Sequence, residues 1–182
     1  MGSFTISKEV QFDAGHRVPS HGGQCRNPHG HRYRVVVNLG GQLVTTPGDP
    51  QEGMLVDFSF VKALLKEKVH DPLDHGFIVH EKDWPMLAAL GEANDHLPDG
   101  TQLEHPRDWT LVNHELGEEN RYGWKVIVFP YVPTAENIAR WIFDQINAPI
   151  YELSPLRGDL WLVSVEVYET PTSMARYGTQ QR

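Results

Sequence analysis

His29-Gly30-His31 runs without a break into a stretch where Tyr33, Val35, Val37 and Leu39 occupy every second position. A period of two marks a strand with one buried face. This stretch therefore predicts a β-strand that opens on two histidines. Side chains at i and i+2 of a strand point to the same side, so His29 and His31 can reach one ion together. The only cysteine, Cys25, lies four positions before His29.

A second alternating stretch lies upstream. Phe4, Ile6, Val10, Phe12 and Ala14 keep the period, Lys8 interrupts it, and His16 follows. If the two strands are antiparallel neighbours, the end of the first meets the start of the second. His16, His29 and His31 are then candidate ligands of one zinc ion. A lone His-x-His is weak evidence; a third histidine at a strand end and a nearby thiol strengthen it. Catalytic zinc takes three protein ligands and keeps a fourth position open. Three neutral imidazoles leave the ion strongly Lewis-acidic. Cys25 stands among Gln24, Arg26 and Asn27, which do not read as core. It is either a thiol poised to move a proton or a fourth ligand that closes the site into a structural one. Spacing alone leaves both open.

Beyond Gly40-Gly41, residues 45–53 are rich in turn formers. A helix is expected over 59–69, capped by Asp57 or Ser59, with Val61, Leu64, Leu65 and Val69 as its apolar stripe and Asp71-Pro72 as its stop. Asp74-His75 follows. A carboxylate beside an imidazole can hold its tautomer. Adjacent residues on an extended segment point apart, however, which leaves either one to reach Cys25 instead. Ile78 and Val79 suggest a short strand. Residues 81–123 lose periodicity and read as a long insertion too polar to bury its own core. A strand is predicted over 125–131. A second helix starts at Pro133-Thr134-Ala135-Glu136-Asn137, with Thr134 as cap and Glu136 in the first turn. Backbone N–H groups there can also receive a polar ligand, which makes Thr134 and Glu136 candidate substrate contacts. The last strand is expected over 160–168. Glu169 follows it, and a carboxylate there can accept two hydrogen bonds from an amino-pyrimidine edge.

These elements predict an α+β fold: a four-stranded antiparallel sheet with two helices on one face. A single domain over residues 1–182 is expected, with 81–123 as an insertion before the third main strand. A formal charge of -8 argues against a general nucleic-acid binder. One cysteine allows no internal disulfide, which suits a reducing compartment. With no signal-like or membrane-spanning stretch, the expected location is the cytoplasm, without membrane association.

Five ordered motifs carry a resemblance: Phe12-Asp13-Ala14-Gly15-His16-Arg17, Cys25-x-x-x-His29-Gly30-His31, Leu73-Asp74-His75, Pro133-Thr134-Ala135-Glu136-Asn137 and Tyr168-Glu169-Thr170. Together they resemble the 6-pyruvoyl-tetrahydropterin synthase / 6-carboxy-tetrahydropterin synthase family. The resemblance implies a tunnelling fold, zinc on His16, His29 and His31, Cys25 as the proton-transferring thiol with Asp74 and His75 as relay partners, and Glu169 as the pterin anchor. It implies a homo-oligomer, a hexamer of two stacked trimers, with sites between subunits. Three residues between Cys25 and His29 look like the bacterial carboxy-tetrahydropterin branch of 7-deazaguanine (queuosine) biosynthesis. The implied activity is that of a lyase acting on 7,8-dihydroneopterin triphosphate. A pyruvoyl-type triphosphate elimination and a non-catalytic zinc-stabilised pterin or purine binder are the alternatives. Gly76 after Asp74-His75 and the 81–123 insertion set the chain apart from compact members.

Overall fold

The computed structural model describes residues 3–94, 96, 99–104, 110–111, 118–120, 122–157 and 160–178. Among the histidines without paired spacing, which by sequence read as solvated, His105 and His114 lie outside them. The chain divides into two compact units: one of Met1–Phe12, Arg32–Asp71 and Ala135–Arg182, the other of Asp13–His31 and Pro72–Thr134. Strands β1 (Phe4–His16) and β2 (His29–Gly41) contribute to both.

In the first unit, β2 pairs antiparallel with β7 (Leu160–Thr170), and β7 with β8 (Ser173–Gly178). Helix α1 (Phe58–Leu65) is capped as expected, the Asp57 carboxylate accepting from Ser59 N at 2.7 Å. Its apolar stripe of Val61, Leu64 and Leu65 is buried, and a π-helical turn over Lys66–His70 buries Val69. Asp71-Pro72 does not stop the helical path. Asp71–Leu73 forms a further short helix, α2, because proline is tolerated in a first helical turn. Helix α4 (Ala135–Arg157) packs on β7 and β8 through Ile138, Ile142 and Ile146, spaced one helical turn apart. Phe12 stacks on Tyr33 with ring centroids 5.0 Å apart.

The second unit departs from the expected sheet. β3 (Gly76–His80) pairs parallel with β1, placing Ala14 beside Gly76 and His16 beside Ile78. β6 (Val126–Phe129) pairs parallel with β3. The main sheet therefore has six strands rather than four, hydrogen-bonded in the order β6-β3-β1-β2-β7-β8, and it is mixed rather than antiparallel. Parallel neighbours cannot be joined by a tight turn; they need a crossover of a dozen or more residues. Residues 81–125 are that crossover. It carries α3 (Trp84–Leu90) and the small antiparallel pair β4 (Ala93–Asn94) and β5 (Thr110–Leu111). It also buries apolar surface: Leu87 and Ala93 cluster with Val79 and Val126, with Phe77, Trp84 and Met86 packed around them.

Candidate metal centre and relay

β1 alternates through Phe12, Ala14 and His16, all buried. His16 is thus the last inward residue of its strand, at 2% exposure. His29 and His31 open β2, both half-buried on one side. Gly30 separates them, and a Cβ there would lie 3.1 Å from the Ala14 carbonyl oxygen. The two backbones approach so closely that any side chain there would have to push them a few tenths of an ångström apart, and this approach brings the three rings together. Ring centroids are 4.5 Å (His16–His29), 5.2 Å (His16–His31) and 5.1 Å (His29–His31) apart. One potential ligand atom from each lies within 4.8 Å of the others.

Hydrogen bonds orient the rings. His16 Nδ1 donates to the Pro133 carbonyl at 2.6 Å, and His29 Nδ1 donates to the Asn27 carbonyl at 2.8 Å. In both rings Nε2 is then the nitrogen that keeps its lone pair, the tautomer a metal ligand needs. Burial lowers the His16 pKa from 6.5 to about 4, against the opposing pull of the Pro133 carbonyl and with help from His29 and His31. His16 is therefore neutral at physiological pH, the protonation state that binds metal. Donor set, tautomers and protonation all fit a divalent cation of the zinc type.

Cys25 sits in a 3₁₀ turn, Gln24–Arg26, and is half-buried. Its carbonyl accepts from Val18 N at 2.8 Å, which closes the preceding loop. Asn27, two residues on, anchors His29. Among the described residues, the metal-competent group is His16, His29 and His31, and Cys25 is outside it. The arrangement is that of three ligands with a thiol nearby in sequence, not of a four-ligand cage.

Asp74 and His75 do bond to each other: His75 Nδ1 lies 2.7 Å from Asp74 Oδ2. The expectation that they point apart assumed extended backbone. His75 instead has φ 59, in the left-handed region, which swings the adjacent side chains together. That conformation costs a non-glycine residue on the order of 1–2 kcal/mol, so it needs support. Asp13 supplies two contacts, its carbonyl accepting from His75 N at 2.7 Å and its N–H donating to Asp74 Oδ1 at 2.9 Å. Lys125 Nζ donates to the Asp74 carbonyl at 2.9 Å. The side chain of His75 is 80% exposed.

Glu169 does not follow the last strand but lies inside β7, one residue from its end, and β8 comes after. The β7–β8 register shifts between Tyr168 and Thr170, so Glu169 occupies a bulge. Bulges re-aim side chains and occur beside active sites. Glu169, Gln11, Arg32, Arg34, Tyr168 and Thr170 line a cavity of about 430 Å³. Arg34 stacks on the Tyr168 ring, 3.7 Å from its centroid. Burial, and then the charge of Glu169, push the Tyr33 phenol upward. Thr134 directly precedes α4 and its N–H donates to the Val132 carbonyl at 2.8 Å; Glu136 is exposed in the first turn. The structure brings neither into the histidine group.

Sequence reading missed Pro133 as the anchor of His16, because a carbonyl leaves no side-chain signature. It also missed Arg17, whose guanidinium forks onto the buried Asp83 through Nε–Oδ2 at 2.6 Å and Nη2–Oδ1 at 2.5 Å. That pair ties the residue after His16 to the start of α3. The adjacency of Arg17 to His16 was visible; its partner, 66 residues away, was not.

The family model described as 6-pyruvoyl tetrahydropterin synthase matches residues 5–180. The chain belongs to the 6-pyruvoyl tetrahydropterin synthase family. Among curated proteins, the 6-carboxy-5,6,7,8-tetrahydropterin synthase of Haemophilus influenzae is 29% identical over 177 residues, covering 96% of this chain and 98% of the relative. The protein of the same name from Synechocystis sp. is 32% identical over 172 residues, covering 94% and 91%. Among solved structures, protein WS1659 from Wolinella succinogenes superposes with a TM-score of 0.66 at 25% identity, covering 99% of this chain and 100% of that one. The 6-pyruvoyl tetrahydropterin synthase of Plasmodium falciparum gives 0.63 at 22% identity, covering 97% and 98%. The latter likeness is one of fold, the α+β tunnelling fold that the motifs implied. No helix among the described residues is long and apolar enough to cross a membrane.

Proposed function

We propose that the chain is a zinc-dependent 6-carboxy-5,6,7,8-tetrahydropterin synthase. In this reading it converts 7,8-dihydroneopterin triphosphate and water into 6-carboxy-tetrahydropterin, acetaldehyde and triphosphate, within 7-deazaguanine biosynthesis. The observation that carries the reading is a three-imidazole group that excludes the chain's only thiol. Two relatives that this chain covers almost end to end bear that enzyme's name.

His16, His29 and His31 would hold the metal. Bound zinc supplies a Lewis acid that polarises substrate oxygens. Cys25 is the base that takes a proton from the substrate side chain. His75 is the complementary acid or base, and Asp74 fixes its tautomer so that Nε2 exchanges the proton. Glu169 accepts hydrogen bonds from the amino and ring N–H groups of the pterin, the bidentate pattern a carboxylate suits. Beside Thr134, whose own N–H is taken by the Val132 carbonyl, the first-turn N–H groups at Glu136 offer donors to polar substrate atoms. The protein works as a cytoplasmic homo-oligomer, a hexamer, in which residues 1–182 are one domain.

Incubation of the metal-loaded protein with 7,8-dihydroneopterin triphosphate, followed by mass analysis, tests this. Release of acetaldehyde with 6-carboxy-tetrahydropterin supports it. A 6-pyruvoyl product, with every side-chain carbon retained, shows the pyruvoyl-type elimination instead. Pterin binding without turnover shows a non-catalytic binder.

A further inference from the structure

We propose that Lys125 is a positioning residue for His75, through which the crossover between β3 and β6 sets the geometry of the Asp74–His75 pair. The inference rests on the proposed role of His75 in proton transfer.

The pair exists only because His75 adopts a left-handed backbone. Two contacts on this turn come from Asp13 on β1. Both act on one side of the turn, on the His75 N–H and on Asp74 Oδ1. The peptide oxygen between the two residues, Asp74 O, is held from elsewhere, by Lys125 Nζ at 2.9 Å. A charged donor to a part-buried carbonyl is the stronger kind of hydrogen bond. This one fixes the orientation of the very peptide that links carboxylate and imidazole. The lysine stem also shares the space over Gly76: a Cβ built there would meet Ile127 Cδ1 first and would lie 3.3 Å from Lys125 Cδ.

Lys125 is itself presented by a wired turn. Its carbonyl accepts from Phe77 N at 2.9 Å, and it bridges to Glu119. Between them Asn120 acts as a hub. Its Nδ2 donates to the buried Glu92 at 2.6 Å and to the Leu90 carbonyl at 2.7 Å. Its Oδ1 accepts from Tyr122 N at 2.9 Å and Trp124 N at 3.2 Å. The same turn walls a groove of about 540 Å³ lined by His75, Phe77, Leu90, Trp124 and Lys125. The crossover thus reaches the relay through the ammonium that holds its backbone, and it shares with His75 the lining of this groove.

Lys125→Met keeps the stem and removes the donor; Lys125→Arg restores a charged donor. The expected result for Lys125→Met is kcat lowered about tenfold or more, with KM within about threefold and metal content unchanged. Lys125→Arg recovers most of the rate. Crystal structures of both variants give a readout independent of turnover. The Asp74–His75 contact should be lost in the methionine variant and kept in the arginine variant. If the wild-type protein fails to turn over the pterin, the structures alone still decide the matter. An intact pair in Lys125→Met overturns the proposal. So does unchanged kcat, or a raised KM with kcat retained, which would make Lys125 a substrate contact. Should the methionine variant not fold, Lys125→Leu, which also lacks a donor, is read against the same outcomes.

Discussion

His16 and His75 are both held through Nδ1 by an oxygen, at 2.6 Å and 2.7 Å, yet their surroundings are opposite. His16 is 2% exposed, ends a regular strand, and donates to a carbonyl. The side chain of His75 is 80% exposed, sits on a left-handed turn, and pairs with a carboxylate. A carbonyl dipole in a buried setting orients a ring without charging it, which suits a metal ligand. A carboxylate can accompany the imidazole through both protonation states, which suits a proton carrier. The same side chain thus stands in two settings, one suited to holding a metal and the other to carrying a proton, and the backbone beneath it decides which.

The sharpest way to break this comparison is to remove each histidine's role in turn. His16→Ala should lower metal affinity by at least about a hundredfold, beyond the usual loss for an outer-shell change, as measured by metal content after dialysis. Next in size, Asp74→Asn should leave metal content untouched while turnover falls about 10²–10⁴-fold, because the amide no longer fixes the His75 tautomer. Metal loss in that variant would erase the distinction between the two sites. Glu169→Gln removes the charge that receives the pterin edge. A charged hydrogen bond contributes about 1.5–3 kcal/mol, so KM should rise roughly tenfold to a hundredfold with little change in kcat.

The smallest effect concerns acid. The His16 pKa is lowered in the fold, from 6.5 to about 4, so the folded state resists a proton that the unfolded chain accepts. Its contribution to stability is complete above pH 6.5 and is lost as pH falls toward 4. Metal-free protein should therefore melt at lower temperature across that window, and His16→Gln should flatten the dependence.

The histidine group was legible because it obeys strand periodicity. His16 shares the inward phase of Phe12 and Ala14, and His29 and His31 share a side at i and i+2. The Asp74–His75 contact was harder: both were visible as residues, but a left-handed histidine has no sequence signature. Parallel pairing was half visible. The unbroken run Val126-Ile127-Val128-Phe129 is what a strand covered on both faces looks like, and reading it as antiparallel hid that residues 81–125 connect two parallel neighbours. In β7 the alternation from Leu160 changes phase, since Leu162 and then Val165 and Val167 are buried. A register shift opposite Asn38 and Leu39 causes it, and a bulge cannot be seen in a period-two count. β8 escaped notice because it is largely exposed and shows no apolar phase.

Three histidines would hold the metal while Cys25 stays outside the ligand set and does chemistry. Cys25→Ala tests it most directly, with zinc content and turnover measured on the same preparation. The account predicts a full complement of zinc and a rate lower by about two to four powers of ten. Loss of zinc together with loss of the fold would make Cys25 a structural ligand and contradict the account.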